Sequence, residues 1–495
     1  MSGLAMARDS VKENLRRHRL FIIVLLLAAV VWIWVFSQAA IQFVTSTTWP
    51  RAVWNGYGRI DLFGFPIRFA YEGWADHDYF YHSWANQFLS GLMPYTPEFD
   101  HLIQNEANYN VPYFFPPLYL YVCVLGKVLQ PDLGIGFVLS LFGFMTAFPA
   151  YGISNYLSGN RNVGAVAAAT YLLSPIVLYH TAFEWLNPAP FVFFAMLSFY
   201  LLMQNRRLSG VLAMTTSALF KQTAFFFALP LIAFMLKRAP EPASDVEENT
   251  NDEGKSKRPK SDNLDLRGFA IMALAVCTYA AILSLPYLLD PLNYGNAIFS
   301  RAGATYLDDL TSPPPMNYPI TLAVLFIIIG APEWLSELIN QMTYYSIGIA
   351  IPVILLLVLM LMEVKDDRDL QSYWRRMLFM TLLLMLCVHI FSPRGIYKYY
   401  TVVLVPFFSI LSTSSLCQRS SERVNVSLPM LFVPMICGFV IMVPSRAVYM
   451  LYLILILAGY VVHRSFSEVY ELVAEPARKL LRRINISARK RFATQ

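Results

Sequence analysis

Thirteen stretches rich in apolar residues recur along this chain, at 20–44, 113–130, 133–157, 163–182, 187–203, 208–236, 268–289, 318–331, 342–362, 376–392, 399–416, 428–444 and 445–463. Crossing a hydrocarbon layer of about 30 Å at about 1.5 Å per residue takes about 20 such residues. A chain built this way has nowhere to bury that many apolar faces in water. The composition agrees: 57% of the 495 residues are hydrophobic and 14% charged, with a mean hydropathy of +0.48, where soluble domains hold about 25% charged residues. This excludes a soluble enzyme and predicts an all-α polytopic membrane protein.

Charge distribution sets the expected sidedness, because Lys and Arg gather on the cytoplasmic face. Five basic residues (Arg8, Lys12, Arg16, Arg17, Arg19) precede the first apolar stretch and eight lie in 464–495, so both ends read as cytoplasmic rather than as nucleic-acid contacts. The run Phe21–Phe36 is too long for a removable signal peptide and lacks its small-residue cleavage site, and reads as the first span. Residues 45–112 carry three Arg, no Lys and seven acids, which places them outside as a large first loop. Residues 237–267 mix seven basic and eight acidic residues with Pro, Ser and Asn, the composition of a disordered cytoplasmic linker. The expected organisation is a cytoplasmic N-terminus (1–19), a first membrane module that includes the external loop 45–112 (20–236), the linker (237–267), a second membrane module (268–463) and a basic tail (464–495). Asn425 and Asn485 head sequons that fall on the cytoplasmic side. The five cysteines (Cys123, Cys277, Cys387, Cys417, Cys437) show no CxxC spacing, so neither a disulfide framework nor a cysteine zinc site is expected.

Thirteen simple crossings cannot keep every basic cluster inside. Three stretches are anomalous: 113–130 opens on Pro116-Pro117, 318–331 is short, and 208–236 would run about 43 Å as one helix. They read as partial or broken helices, giving about 11 to 13 transmembrane or partial helices, with a break in 208–236 at Lys221-Gln222. Broken helices at membrane depth line protein-buried or watery cavities, so a cavity open to the outside is expected.

The residues that suit chemistry lie around that cavity. The external loop holds Trp74-Ala75-Asp76-His77-Asp78-Tyr79-Phe80-Tyr81-His82-Ser83-Trp84. Carboxylates accept hydrogen bonds from sugar hydroxyls, and aromatic faces cover pyranose C–H faces. The competing reading is an acidic loop at the interface, where Trp and Tyr gather anyway. His77 and His82 with the two Asp offer metal ligands, though without a recognised spacing. Lys221, deep within an apolar stretch, costs several kcal/mol unless paired or wetted, which by default marks function; snorkelling is the alternative. Ser392-Pro393-Arg394-Gly395-Ile396-Tyr397-Lys398-Tyr399-Tyr400 places Arg394 and Lys398 in an external turn, where cations suit a lipid headgroup or a substrate phosphate. Glu184-Trp185-Leu186-Asn187 is an external turn with polar groups for sugar contacts or a simple helix boundary. Acids, aromatics and cations at one outward cavity suit a sugar carried on a membrane-held polyprenyl phosphate; no Gly-rich phosphate loop is present.

The ordered set of motifs resembles the GT-C membrane glycosyltransferases, in particular the dolichyl-phosphate-glucose-dependent glucosyltransferases and the GPI mannosyltransferase I type. Asp78-Tyr79 followed by Trp84 is similar to the catalytic-loop pattern. Phe115-Pro116-Pro117-Leu118 is similar to a Tyr-Pro-Pro-Leu helix entry, with Phe in place of Tyr. Phe220-Lys221-Gln222 running on to Pro230 resembles the family's Phe-Lys-Gln segment, and Tyr397-Lys398-Tyr399 running on to Val405-Pro406 its late basic turn, without the preceding His-Glu pair. The resemblance spans roughly 20–235 and 390–410.

It implies a GT-C type helical bundle, an extracytoplasmic active site in a prokaryotic plasma membrane or the endoplasmic reticulum, and inverting transfer of a hexose from a polyprenyl (dolichyl) phosphate donor to a glycan or lipid-linked acceptor. In that reading Asp78 is the general base with Asp76 the runner-up. Lys221, Arg394 and Lys398 hold the donor phosphate, and His77, Tyr79, His82, Trp84, Glu184 and Gln222 contact sugar or acceptor. No cofactor is required by the residues; a divalent Mg or Mn ion is the one the acids leave open. The rival readings are a lipid-linked sugar flippase, though no internal repeat of the kind common in transporters occurs, and a surface polysaccharide polymerase or ligase.

Overall fold

The computed structural model describes residues 16–47, 57–62, 65–70, 76–104, 107–236, 264–301, 322–345, 367–391, 398–414 and 446–462, with Trp74 and a few other single positions. Arg394, the stretch 428–444, both sequons, the tail 464–495 and most of the 237–267 linker lie outside the described residues.

The chain is mostly helical. Among the described residues four helices are long and apolar enough to cross a membrane, Arg19–Thr45, Gly134–Ser158, Leu266–Leu289 and Tyr373–Phe391. A fifth arises if Arg161–Leu172 and Pro175–Phe183, bent by 47°, form one span. Each coincides with a stretch expected from sequence, and several others are present as shorter apolar helices.

Helix α1 (Arg19–Thr45) shows how such a helix is placed. Its buried residues, Phe21, Ala28, Trp32, Ala39 and Phe43, recur every seven and four positions and so form one narrow stripe. The Trp32 indole N–H donates to the Leu172 carbonyl at 2.9 Å, tying α1 to its neighbour. The rest of its surface is apolar and exposed, with Leu26, Val30, Ile33 and Trp34 each at least 64% open.

The segment after α1, expected only as a large external loop, contains strands as well as helix. An antiparallel hairpin pairs β1 (Tyr57–Leu62) with β2 (Phe65–Ala70), and a second pairs β3 (His101–Gln104) with β4 (Ala107–Asn110). Between them a wide π-helical segment, His77–His82, runs into α2 (Ser83–Leu89). The sequence expectation named no strands, since hairpins this short carry little periodic signal.

The stretch 113–130 forms α3 (Pro117–Leu129), only 13 residues long, or about 20 Å, so it is partial as expected. A tight turn joins it to α4 (Gly134–Met145), which α5 (Ala147–Ser158) continues. The turn needs glycine: a Cβ on Gly134 would sit 1.9 Å from the Gly126 carbonyl oxygen. A Cβ on Gly136 would lie 2.4 Å from the Trp185 ring, and Trp185 is fully buried. Gly136→Ala should therefore overpack this contact and destabilise the chain by about 1–3 kcal/mol, read as a lowered unfolding midpoint in detergent; an unchanged midpoint would show that Trp185 moves freely.

After α6 (Arg161–Leu172) and a bent segment to Phe183 come α7 (Pro188–Met203) and α8 (Arg207–Phe220). The 208–236 stretch breaks where expected. Lys221 is extended (φ −156°, ψ 137°), a single turn over Gln222–Ala224 follows, and α9 (Phe225–Leu236) resumes. The two halves share α10 (Leu266–Ser284) as a neighbour but otherwise differ: α8 packs on α7, and α9 on α11 (Asp367–Phe391). Late in the chain α12 (Val405–Ser414) packs on α5 and α6. Phe407 stacks on Phe227 with centroids 5.7 Å apart, and Ser154 and Thr413 share a hydrogen bond of 3.1 Å. Residues 398–414 thus belong to the same core as 20–236.

Candidate functional site

The break after α8 aims a cation into an aromatic enclosure. An extended residue projects its side chain off the helix axis, and Lys221 is 3% exposed. It lies 4.0 Å from the Tyr400 ring centroid, 5.1 Å from Phe115, 5.7 Å from Tyr399 and 5.9 Å from Phe191. Ring faces carry negative charge and attract a desolvated cation, which explains how the lysine is tolerated there. Lys221 also donates to the Asn187 side-chain oxygen. Asn187 in turn donates from Nδ2 to the Tyr81 hydroxyl at 3.1 Å, and the Tyr81 ring packs edge-on against Tyr119 with centroids 5.3 Å apart.

This brings together pieces far apart in sequence: the Phe115-Pro116-Pro117 entry, the Phe220-Lys221-Gln222 break, the Tyr399-Tyr400 turn and the loop helix bearing Tyr81. Gln222 fastens the entry by donating to the Phe114 carbonyl at 2.5 Å and to the Ile298 carbonyl at 3.1 Å. Lys398 is buried at the start of the turn Lys398–Val403, and its carbonyl accepts from the Thr401 hydroxyl at 2.7 Å.

The two loop carboxylates have different surroundings. Asp76 is half-buried and feels the Lys221 charge. Burial pushes its carboxyl up to about 6, and the lysine pulls the other way. Its charge also reaches Tyr81 and Tyr119. Asp78 is 2% exposed and groups with His77 and His82, one potential ligand atom from each lying within 4.8 Å of the others. His82 Nδ1 is 2.9 Å from the Lys127 ammonium.

The remaining expected site residues divide. Glu184 is fully buried and pairs with His180 Nδ1 at 2.7 Å, which stiffens the turn leading to Asn187. That turn holds Trp185 at φ +57°, closed by the Leu186 N–H on the His180 carbonyl at 3.0 Å. Trp84 is fully buried and donates its indole N–H to Val111 at 2.9 Å, so it braces the loop on the entry segment. Tyr79 is half-buried and reaches the Asn110 carbonyl at 3.3 Å.

Sequence reasoning named the 184–187 turn but left Asn187 without a role, and Tyr81 and Tyr400 likewise. The signal for Asn187 was indirect: an Asn before a Pro-led helix is an expected N-cap, yet its side chain caps nothing and bridges Lys221 to Tyr81 instead.

Because Asn187 orients the ammonium, its removal should be felt at the site. Asn187→Ala is expected to lower whatever reaction the site performs by about ten- to a hundredfold, since a lost bond to a charged group is worth about 1.5–3 kcal/mol. Asn187→Asp should lower it further, by pairing a carboxylate with Lys221 and neutralising it. Turnover of the two variants in one assay checks the order; equal activity would remove Asn187 from the site.

No protein-family model matches the chain, and a search of the curated proteins finds no match.

Proposed function

We propose that the chain is a multi-pass membrane glycosyltransferase, moving a hexose from a polyprenyl-phosphate donor to an acceptor hydroxyl at the extracytoplasmic face. The helices that are long and apolar enough to span, together with the exposed apolar surface of α1, support the membrane setting. One observation carries the chemistry: Lys221, buried among rings, is tied through Asn187 to Tyr81 of the segment that follows the loop carboxylates Asp76 and Asp78. A base beside a phosphate-binding cation is what an inverting transfer from a lipid phosphate requires.

In this reading the acceptor oxygen attacks the anomeric carbon and its proton passes to a loop carboxylate. The bond from that carbon to the phosphate oxygen breaks, and the polyprenyl phosphate leaves as an anion. General base help is worth about 10² to 10⁴ in rate. Asp76 is the base in this reading, because burial raises its carboxyl to about 6, nearer the range that suits a general base, whereas Asp78, the first choice from sequence, groups with His77 and His82. Lys221 meets the charge that develops on the leaving phosphate, an interaction stronger in a dry site than in water. Tyr399 and Tyr400 lie over the ammonium, and Lys398 supplies further positive charge from the turn that carries them.

The direct test supplies detergent-purified or nanodisc-embedded protein with a polyprenyl-phosphate hexose and a hydroxyl acceptor. Released polyprenyl phosphate with glycosylated acceptor is the expected result. Movement of the intact donor between leaflets of a reconstituted vesicle, with no release, would replace the reading by a flippase.

A further inference from the structure

We infer that His77, Asp78 and His82 form a binding site for one divalent first-row transition-metal ion of the zinc class. On an α-helix, residues five apart point about 140° from each other, since each residue turns about 100°. The His77–His82 segment is a π-helix, whose wider turn aligns residue i with i+5, and the imidazole centroids stand 4.6 Å apart. Such π segments are uncommon and collect at functional sites. The Asp78 carboxylate lies beside the pair, with one potential ligand atom from each of the three within 4.8 Å of the others. Zinc–ligand bonds of about 2.1 Å in a tetrahedron put ligand atoms about 3.4 Å apart, so small side-chain rotations close the set.

The surroundings suit an ion. The three residues are at most 7% exposed. Phe43 packs edge-on to His77 at 5.2 Å, Trp185 lies 5.1 Å from the same ring, and Phe43 stacks near His82 at 6.2 Å, which holds both imidazoles in place. Two nitrogens and one carboxylate oxygen match three-ligand zinc sites and the two-histidine, one-carboxylate iron triad. Magnesium, which prefers oxygen and keeps its waters, fits poorly.

The Lys127 ammonium, 2.9 Å from His82 Nδ1, is the cation that competes. Lys127 stands in the last turn of α3 and is half-exposed, so it can swing to water when a divalent ion takes the histidine. An ion there would pin the turn that carries Asp76. The site does not depend on the proposed transfer, and its readout is the ion itself.

The experiment purifies the full chain without a polyhistidine tag, equilibrates it with Zn2+, Co2+ or Mg2+, removes free ion, and measures bound metal by mass spectrometry, with visible absorption for Co2+. About one equivalent of Zn2+ or Co2+ and none of Mg2+ is expected. Asp78→Asn, which keeps the side-chain shape, should weaken binding at least tenfold, His82→Ala should abolish it, and Lys127→Met should tighten it. Each variant is compared only if it elutes as the wild-type species does. Equal metal content in wild type and Asp78→Asn, or no bound Zn2+ in wild type, overturns the proposal, whereas absent sugar transfer with a bound equivalent would overturn only the proposed function.

Discussion

Lys221→Met should abolish phosphate release while leaving the protein folded. In the proposed mechanism the ammonium meets charge that appears only as the bond from the anomeric carbon to the phosphate breaks, and losing one such preorganised donor costs about 10² to 10³ in turnover. Stability moves much less. Burying a charge carries a desolvation penalty that the substitution removes, and Met fills nearly the same length among Phe115, Phe191, Tyr399 and Tyr400. Against this stands the Asn187 oxygen, which loses a donor, at about 1–3 kcal/mol. The two effects oppose, so the unfolding midpoint should shift by a few degrees at most. Lys221→Arg should recover part of the activity, since the charge remains although the enclosure is cut for an ammonium. A Met variant that transfers sugar within tenfold of wild type would leave Lys221 a purely structural role.

How much of this was legible in the sequence follows from the range of each signal. The apolar stretches are local and strong, so Arg19–Thr45 and Leu266–Leu289 emerge close to their expected bounds. Lys221 was legible because a charge in an apolar run contradicts its surroundings, and the helix stops at that residue. Tyr400 over the Lys221 ammonium was not legible as a contact, because it depends on α12 packing against α5 and α6. The sequence offered His77 and His82 as ligands together with both Asp, but not the turn that brings the two rings together: residues five apart meet only on a π turn, and no propensity distinguishes that turn from an α-helix. An aromatic beside acids suits both sugar contact and loop packing, so the bond from Trp84 to the Val111 carbonyl was not legible in the sequence.

The two loop acids can be told apart by a pair of isosteric substitutions. Asp76→Asn removes the proposed proton acceptor and should lower turnover by about 10² to 10⁴, with donor affinity little changed because the phosphate is held by cations on other segments. Asp78→Asn should act through a different quantity. Its carboxylate sits with two imidazoles, so the substitution is expected to empty the ion site and to lower turnover less than Asp76→Asn, by loosening the turn His77–His82 from which Asp76 projects. Added Zn2+ separates the two: raising its concentration should recover part of the Asp78→Asn activity by mass action and none of the Asp76→Asn activity. If instead Asp78→Asn is the deeper loss and Zn2+ restores nothing, Asp78 is the base, and Asp76 answers to Lys221 only as a neighbouring charge. The measurement is initial rate against Zn2+ concentration for wild type and both variants, at saturating donor.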